Sequence, residues 1–387
     1  MKLRKYDVII KEKGTFMKKL LTGLVSLLFA LVMFIPLTFG GKSVRASADG
    51  GIPIDVYLLG GQSNAVGCSE IVNNRTQQFN NIWYAAEIER AFNEDGTVTS
   101  AYNNIESFKT FSRFVSGGMG FHATSIGPEY GMAKYLNDSY EGEKKALIFK
   151  SAHGGTYLHN FPSSRNWYPR SLWKEGYQPN VNAPSGSTNC EGWLYQWFVE
   201  NFRHVYNELV QNGYKPIIKG MAWMQGEADA GDSTAKMFYF RNLKAFIEDI
   251  RKDIAEITGD EKMLEMPFVI GRIAKTFMKY NNPNTTSISE AQQALADQMD
   301  NVYAVNTDDL IIVRQDGKIN GSGGWDICHY NFKDMVKLGE RFAQTFEESE
   351  KKGFSIDCSS SVNGVGIAVF ALMSVVCALL FKKAKEN

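Results

Sequence analysis

Apolar residues in this chain follow two rhythms that alternate: short solid runs, and longer stretches with apolar positions three and four apart. The solid runs occupy 54–59, 145–151, 217–224, 267–273 and 302–306. Runs of that length ending in glycine or polar turn residues predict buried strands. Between them the spacing predicts helices over 127–136, 193–211, 237–257, 289–299 and 331–350. The clearest is the third, where Met237, Phe240, Leu243, Phe246, Ile247, Ile250, Ile254 and Ile257 form one apolar stripe. Strands alternating with helices imply crossover connections and a parallel sheet covered on both faces. The expected architecture is an α/β fold, a three-layer α/β/α sandwich around a mostly parallel five-stranded sheet. Residues 71–125 are polar and aromatic with little periodicity and read as an insertion over the sheet edge. The connection 156–191 carries Tyr157, Phe161, Trp167, Tyr168, Trp173 and Tyr177. A connection that long in a compact domain is often functional.

The first strand ends in Gly60-Gly61-Gln62-Ser63-Asn64-Ala65-Val66-Gly67. Two glycines let the backbone turn sharply, so Ser63 stands at the carboxyl end of a buried strand, at the start of a helix. Ligands bind at that edge of open α/β sheets, and backbone N–H groups at a helix start face developing negative charge. Ser63 is therefore a candidate nucleophile; the other reading of a serine in this place is a helix cap.

The ends of the chain change the picture. Lys18 and Lys19 precede an apolar run over 20–39, and Ala46-Ser47-Ala48 follows. That is the layout of a secretory signal segment over 1–48 with cleavage after Ala48; an uncleaved anchor is the alternative, and translation from Met17 would leave 1–16 outside the layout. Residues 362–381 are twenty uncharged, mostly apolar positions followed by Lys382, Lys383 and Lys385. They predict a membrane-spanning helix with a cytoplasmic tail over 382–387, leaving 49–357 as one domain outside the cell. Residues 1–48 carry nine Lys/Arg and two Asp/Glu and residues 358–387 three and one, so 49–357 holds 30 basic against 39 acidic side chains. An acidic domain is a poor match for nucleic acid or other polyanions. Cys68, Cys190 and Cys328 allow at most one disulfide in the domain, with partners open; Cys358 lies just before the apolar run as a weak processing or lipidation site. No Cys/His spacing suggests zinc.

Chemistry gathers at four strand or helix boundaries. Ser63 ends the first strand, Gly154 and Gly155 the second, and Gln225-Gly226-Glu227-Ala228-Asp229 the third. Ahead of the last helix stand Asp326 and His329, three residues apart, a spacing that puts both on one side of a turn. The aspartate could hold the imidazole in the tautomer that takes the Ser63 proton. Of the five histidines, His122 and His204 read as surface residues, while His153 and His159 flank the second strand end. The arrangement is not the Gly-x-Ser-x-Gly elbow, since Ala65 fills the last place.

Taken together, Gly61-Gln62-Ser63-Asn64, Gly154-Gly155-Thr156, Gln225-Gly226-Glu227-Ala228-Asp229 and Asp326-x-x-His329 resemble the SGNH hydrolases. Within them the set is similar to the sialate O-acetylesterase and carbohydrate esterase family 6 branch, over roughly residues 53–350. The resemblance implies a flavodoxin-like sheet, Ser63 as nucleophile, His329 as base and acid, and Asp326 as its orienting carboxylate. It implies an oxyanion hole from the Ser63 and Gly155 N–H groups and the Gln225 side chain. Gln62, Asn64, Gly154, Glu227 and Asp229 support the motif, and Cys68 and Cys328 are packing. The expected activity is a carbohydrate O-acetylesterase working through an acetyl-enzyme, on acetylated xylan or O-acetyl sialic acid, with neither cofactor nor metal and no obligate protein partner. Aromatic rings in 157–177 either stack on sugar or pack the loop onto the sheet. The alternatives are an esterase or lipase of other acyl groups on the same triad, and an inactive carbohydrate-binding surface protein.

Overall fold

The computed structural model describes residues 51–70, 78–86, 113–115, 125–140, 145–161, 164–179, 190–275, 282–310 and 329–353. The expected signal segment, the spanning helix over 362–381 and its tail lie outside these residues, as do Asp326, Cys328, Cys358 and His122. No helix among the described residues is long and apolar enough to cross a membrane.

In chain order the elements are β1 (Ile52–Gly61), α1 (Ser63–Val66), β2 (Ser69–Glu70), β3 (Gln78–Ala86), β4 (Arg113–Val115) and β5 (Ser125–Ile126). Then come α2 (Pro128–Ser139), β6 (Lys145–Ala152), α3 (Trp193–Gln211), β7 (Tyr214–Met224), α4 (Glu227–Ala230) and α5 (Ser233–Thr258). The described chain closes with β8 (Phe268–Gly271), α6 (Asn282–Gln298), β9 (Val302–Val305) and α7 (Phe332–Lys351). The five expected strands are β1, β6, β7, β8 and β9. Among the described residues, however, the sheet has seven strands in the order β4-β3-β6-β1-β7-β8-β9, two more than the sequence pattern predicts. All neighbours run parallel except β3 and β4. β3 escapes the pattern because its pairing with β4 shifts register between Phe79 and Trp83. A bulge breaks the period of two, and the residues buried are Phe79, Ile82 and Ala85 rather than alternate ones.

The strands β6-β1-β7-β8-β9 take the flavodoxin-like order, second, first, third, fourth, fifth, with β3 and β4 added outside β6. The chain leaves β1 toward one side of the sheet and, after β6, crosses to β7 on the other. The topological switch point, where such sheets bind ligands, therefore lies between the carboxyl ends of β1 and β7.

Alternation along the strands assigns the helices to two layers. Phe149 of β6 packs on Phe198 and Phe202 of α3, while the next residue, Lys150, reaches Glu129 of α2 on the opposite face. Trp223 of β7 packs on Phe246 of α5, whereas Gly220, three residues earlier, faces Phe346 of α7. Helices α2 and α7 thus cover one face, and α3, α5 and α6, which packs on α5, cover the other. The second face is aromatic: Trp167, Trp193, Trp197 and Trp223 are all fully buried.

Asp232 caps α5 by accepting from the N–H groups of Thr234 and Ala235, and Gly259 ends it in the left-handed conformation at φ 72°. Its stripe is shorter than expected: Leu243, Phe246, Ile247, Ile250 and Ile254 are buried, but Met237 is 73% exposed. Helix α6 starts at Asn282 rather than 289. Asn-Pro-Asn reads as a turn, yet proline is tolerated in a first helical turn.

Candidate active site

The turn that carries Ser63 is forced by close packing at the switch point. Gly61 has φ +138°, and a Cβ there would stand 2.0 Å from the Met224 carbonyl oxygen, so only glycine fits. Gln62 N–H then donates to that same oxygen at 2.9 Å, and the Gln62 carbonyl accepts from Ala65 and Val66 to start α1. Ser63 occupies the first position of this single turn, half-buried at the strand end. A first-turn N–H has no intrahelical acceptor, and no described residue accepts from that of Ser63.

β6 ends beside it. His153 N–H donates to the Gly61 carbonyl at 3.0 Å, extending the ladder by one rung. Gly154 and Gly155 are exposed, and Gly155 takes φ +68° with open space around it; its N–H likewise meets no described acceptor. Thr156 curls the chain back, its hydroxyl donating to the His153 carbonyl at 2.7 Å and accepting from Trp167 Nε1 at 2.9 Å.

β7 delivers Gln225, which is fully buried. Its Nε2 donates to the Thr156 carbonyl at 3.0 Å and to Asp229 Oδ2 at 2.6 Å, with Gln62 Oε1 at 3.4 Å. Its carbonyl accepts from Tyr239 Oη at 2.9 Å and Gln292 Nε2 at 2.8 Å. Asp229 also accepts from Leu158 N–H at 3.0 Å, so it ties the β6 loop to the β7 loop. Burial pushes the Asp229 carboxyl up to about 7, against the donors that favour its anion.

Asn64 joins the first block to the third and the fourth. Its Nδ2 donates to Glu227 Oε1 at 2.7 Å, and its Oδ1 accepts from Tyr330 N–H at 3.3 Å. The Tyr330 carbonyl accepts from Ser69 Oγ at 2.6 Å. The backbone next to His329 is thereby pinned to the residue next to Ser63, so half-buried His329 stands at the Ser63 end of the sheet. Glu227 is raised above the ordinary carboxylate range by burial, then lowered by the Asn64 hydrogen bond and by the charge of His329.

Ser63, Asn64, Gly155, Gln225, Glu227, Asp229 and the His329 backbone thus converge, with Gln62 beneath them, its Oε1 accepting from Ala228 N–H at 3.2 Å. Asp326 lies outside the described residues. His153 is a core residue, edge-on to Trp167 and Trp193, and His159 stacks on Phe238, where burial lowers its pKa. Trp167 is buried in the core, Trp173 packs on Tyr195, and Tyr157 and Phe161 remain half-buried. Tyr239, Gln292, Ser69 and Tyr330, which hold the motif residues, gave no signal in the sequence because they sit within ordinary helix and loop patterns. Cys68 and Cys190 are not joined to each other. Among the described residues no group of three or more His, Cys, Asp or Glu could hold a metal.

Residues 53–348 match the family described as carbohydrate esterase, sialic acid-specific acetylesterase. The chain belongs to this family. Its membership fixes the chemistry at the coarse level, as a carbohydrate esterase of SGNH-like type, and the match spans all four sequence blocks. Among solved structures, the acetylesterase family chain is similar to NanS, at 14% identity and TM-score 0.52 over 78% of this chain and 99% of that one. A protein of Arabidopsis thaliana aligns at 17% identity and TM-score 0.48 over 76% and 98%. A carbohydrate acetylesterase of Xanthomonas citri aligns at 16% identity and TM-score 0.45 over 78% and 57%. At such identities the likeness to NanS is one of fold. A comparison with curated protein sequences finds no match.

Proposed function

We propose that the protein is a serine-dependent carbohydrate O-acetylesterase that removes acetyl groups from acetylated sugars, with acetylated xylan and O-acetyl sialic acid as the leading substrates. Ser63 Oγ attacks the acetyl carbonyl while His329 takes its proton, and Asp326 orients the imidazole. The sugar alkoxide leaves with the proton that His329 returns. Water, deprotonated by the same histidine, then opens the acetyl-enzyme and frees acetate. The oxyanion is received by the Ser63 and Gly155 N–H groups, each such donor contributing roughly 3 kcal/mol. The Gln225 amide joins them once it exchanges the Thr156 carbonyl for the substrate oxygen.

One observation carries this reading: the Asn64 side chain bridges Glu227 and the Tyr330 N–H, which brings the histidine block to the serine block across the switch point. Two N–H groups without a described acceptor, on Ser63 and Gly155, support the oxyanion site. We further propose that the protein is exported and held in the membrane by 362–381, with the catalytic domain outside.

Acetate release by the purified protein and by Ser63→Ala, on acetylated xylan, O-acetyl sialic acid and an aryl acetate, tests the proposal. The expected result is release from one sugar, reduced on the order of 10⁶-fold in the variant. Equal release by both proteins would remove Ser63 from the mechanism. Release from the aryl acetate alone would point to another acyl substrate.

A further inference from the structure

Lys150 is a charged residue near the carboxyl end of a buried strand. It lies between Phe149 and Ser151 on β6 and is 4% exposed. Its Nζ stands 3.1 Å from Glu129 Oε2, a carboxylate with no solvent exposure. The other oxygen of Glu129 accepts from Gly127 N–H at 2.8 Å. Tyr84 lies below the ammonium, its ring centroid 5.5 Å away. Burial raises the Glu129 carboxyl, and Lys150 is the leading influence that lowers it. A buried pair of this kind is weak evidence for stability, because a hydrophobic pair of the same volume often serves as well. Its use here has to be sought in what else the lysine touches.

Lys150 Nζ donates to the Val66 carbonyl at 2.8 Å. Val66 is the last residue of α1, the one-turn helix that Ser63 begins. A helix this short closes almost none of its own carbonyls, and each needs an outside donor. The near end of the turn is fixed to β7 by the Gln62 N–H on the Met224 oxygen. The far end is fixed by Lys150, and through Glu129 and Gly127 to the start of α2. Gly67 closes the same contact: a Cβ on it would stand 2.3 Å from the Gly127 nitrogen. The turn carrying the nucleophile is therefore clamped at both ends, and the far clamp is ionic.

We infer that Lys150 and Glu129 are positioning residues of the hydrolytic reaction: the buried pair fixes the far end of the Ser63 turn, and with it the direction of the Ser63 Oγ and N–H. Neither residue reaches the substrate. The inference rests on the proposed role of Ser63 as nucleophile. A displacement near 1 Å of a reacting group costs about 100-fold in rate, so the pair acts on kcat and leaves sugar binding alone.

The test compares wild type, Lys150→Met, and the double variant Glu129→Gln with Lys150→Met in the full chain. Tm, near-ultraviolet circular dichroism, kcat, KM and the rate of Ser63 labelling by a fluorophosphonate are measured for each. The single variant strands a buried carboxylate and is expected to lose stability. The double variant removes both charges and is expected to recover most of the Tm lost by the single variant, short of the cost of the unpaired Val66 carbonyl, while kcat and the labelling rate stay about 100-fold down, with KM within about threefold. A double variant with wild-type kcat would overturn the inference. So would a loss that appears in KM, or one that tracks the folded fraction, including failure to fold. Ser63→Ala, run beside them, separates the two ideas: undiminished turnover and absent labelling in the wild type would sink the reading of Ser63 itself.

Discussion

Asn64 satisfies, with one amide, two buried groups that come from 163 and 266 residues away in the chain. Truncating this side chain to a methyl group would leave the Glu227 carboxylate without its donor and the Tyr330 N–H without its acceptor, at about 1–3 kcal/mol for each group. Asn64→Ala is expected to lower kcat by about 100-fold with little change in KM, checked by steady-state kinetics on whichever acetylated sugar is turned over. Asp229 offers a pH signature. Burial holds its carboxyl near 7 in the folded protein against an ordinary 3.8. The folded state keeps a proton that the unfolded chain gives up, so this stabilising contribution is full below about pH 4 and is lost as pH rises through 7. The loss amounts to roughly 4 kcal/mol. Asp229→Asn keeps an oxygen for Leu158 N–H and Gln225 Nε2 and removes the titration. Urea unfolding at pH 4.5 and pH 8 should show the variant gaining on wild type at the higher pH; parallel changes would refute it. The motif residues were visible in the sequence because glycine and polar residues interrupt apolar runs there. Lys150 was not, because one lysine inside a run that still reads as a strand leaves the pattern intact.

At the scale of elements, α2 and α7 cross where two glycines meet. A Cβ on Gly339 would stand 1.9 Å from the Pro128 carbonyl oxygen and 2.7 Å from the Gly131 Cα, and one on Gly131 would stand 2.0 Å from the Val336 oxygen. Without side chains at the crossing, the two backbones approach closely enough to seat α7 against the sheet, through Phe342 and Phe346. Asn331 caps α7 by accepting from the Asp334 N–H at 3.0 Å, and His329 lies two residues ahead of that cap. Gly339→Ala is expected to cost about 1–3 kcal/mol by overpacking. It should lower Tm by several degrees in a thermal scan and lower kcat as well, since lifting α7 carries the histidine with it. An unchanged Tm would mean that the crossing can open without cost. Helix α7 was readable from its amphipathic spacing, but not this crossing, because glycine within a helical pattern looks like a weak point rather than a contact.

For the whole molecule, the sequence predicted five strands, and these form the sheet core in the flavodoxin-like order. The edge did not follow, because the bulge in β3 removes the alternation and β4 has only three residues. The long aromatic connection was legible as a loop but not as two kinds of ring. Trp167 is the centre of a core, edge-on to Trp223 at 5.1 Å, whereas Tyr157 and Phe161 stay half-open beside the Gly155 turn. The proposed tether gives a prediction at this scale. Deleting 362–387 should move the protein from the membrane fraction to the soluble one with its turnover per molecule unchanged, as followed by fractionation and an acetate assay. Retention of the truncated chain in the membrane would place the anchor elsewhere, with the run over 20–39 as the first suspect.

The hydrogen bond between Asn64 and Tyr330 has a consequence for biosynthesis. The serine block emerges early from the ribosome and the histidine block almost last, and the order of emergence cannot be shortened. Until β6, β7 and the Tyr330 segment have followed, the Ser63 turn lacks the Lys150, Met224 and Tyr330 contacts that hold it in the folded domain. Under the proposed mechanism a chain cut short before α7 docks would carry no esterase, and hydrolysis of a bound acetyl group would double as a readout that the entire domain has closed.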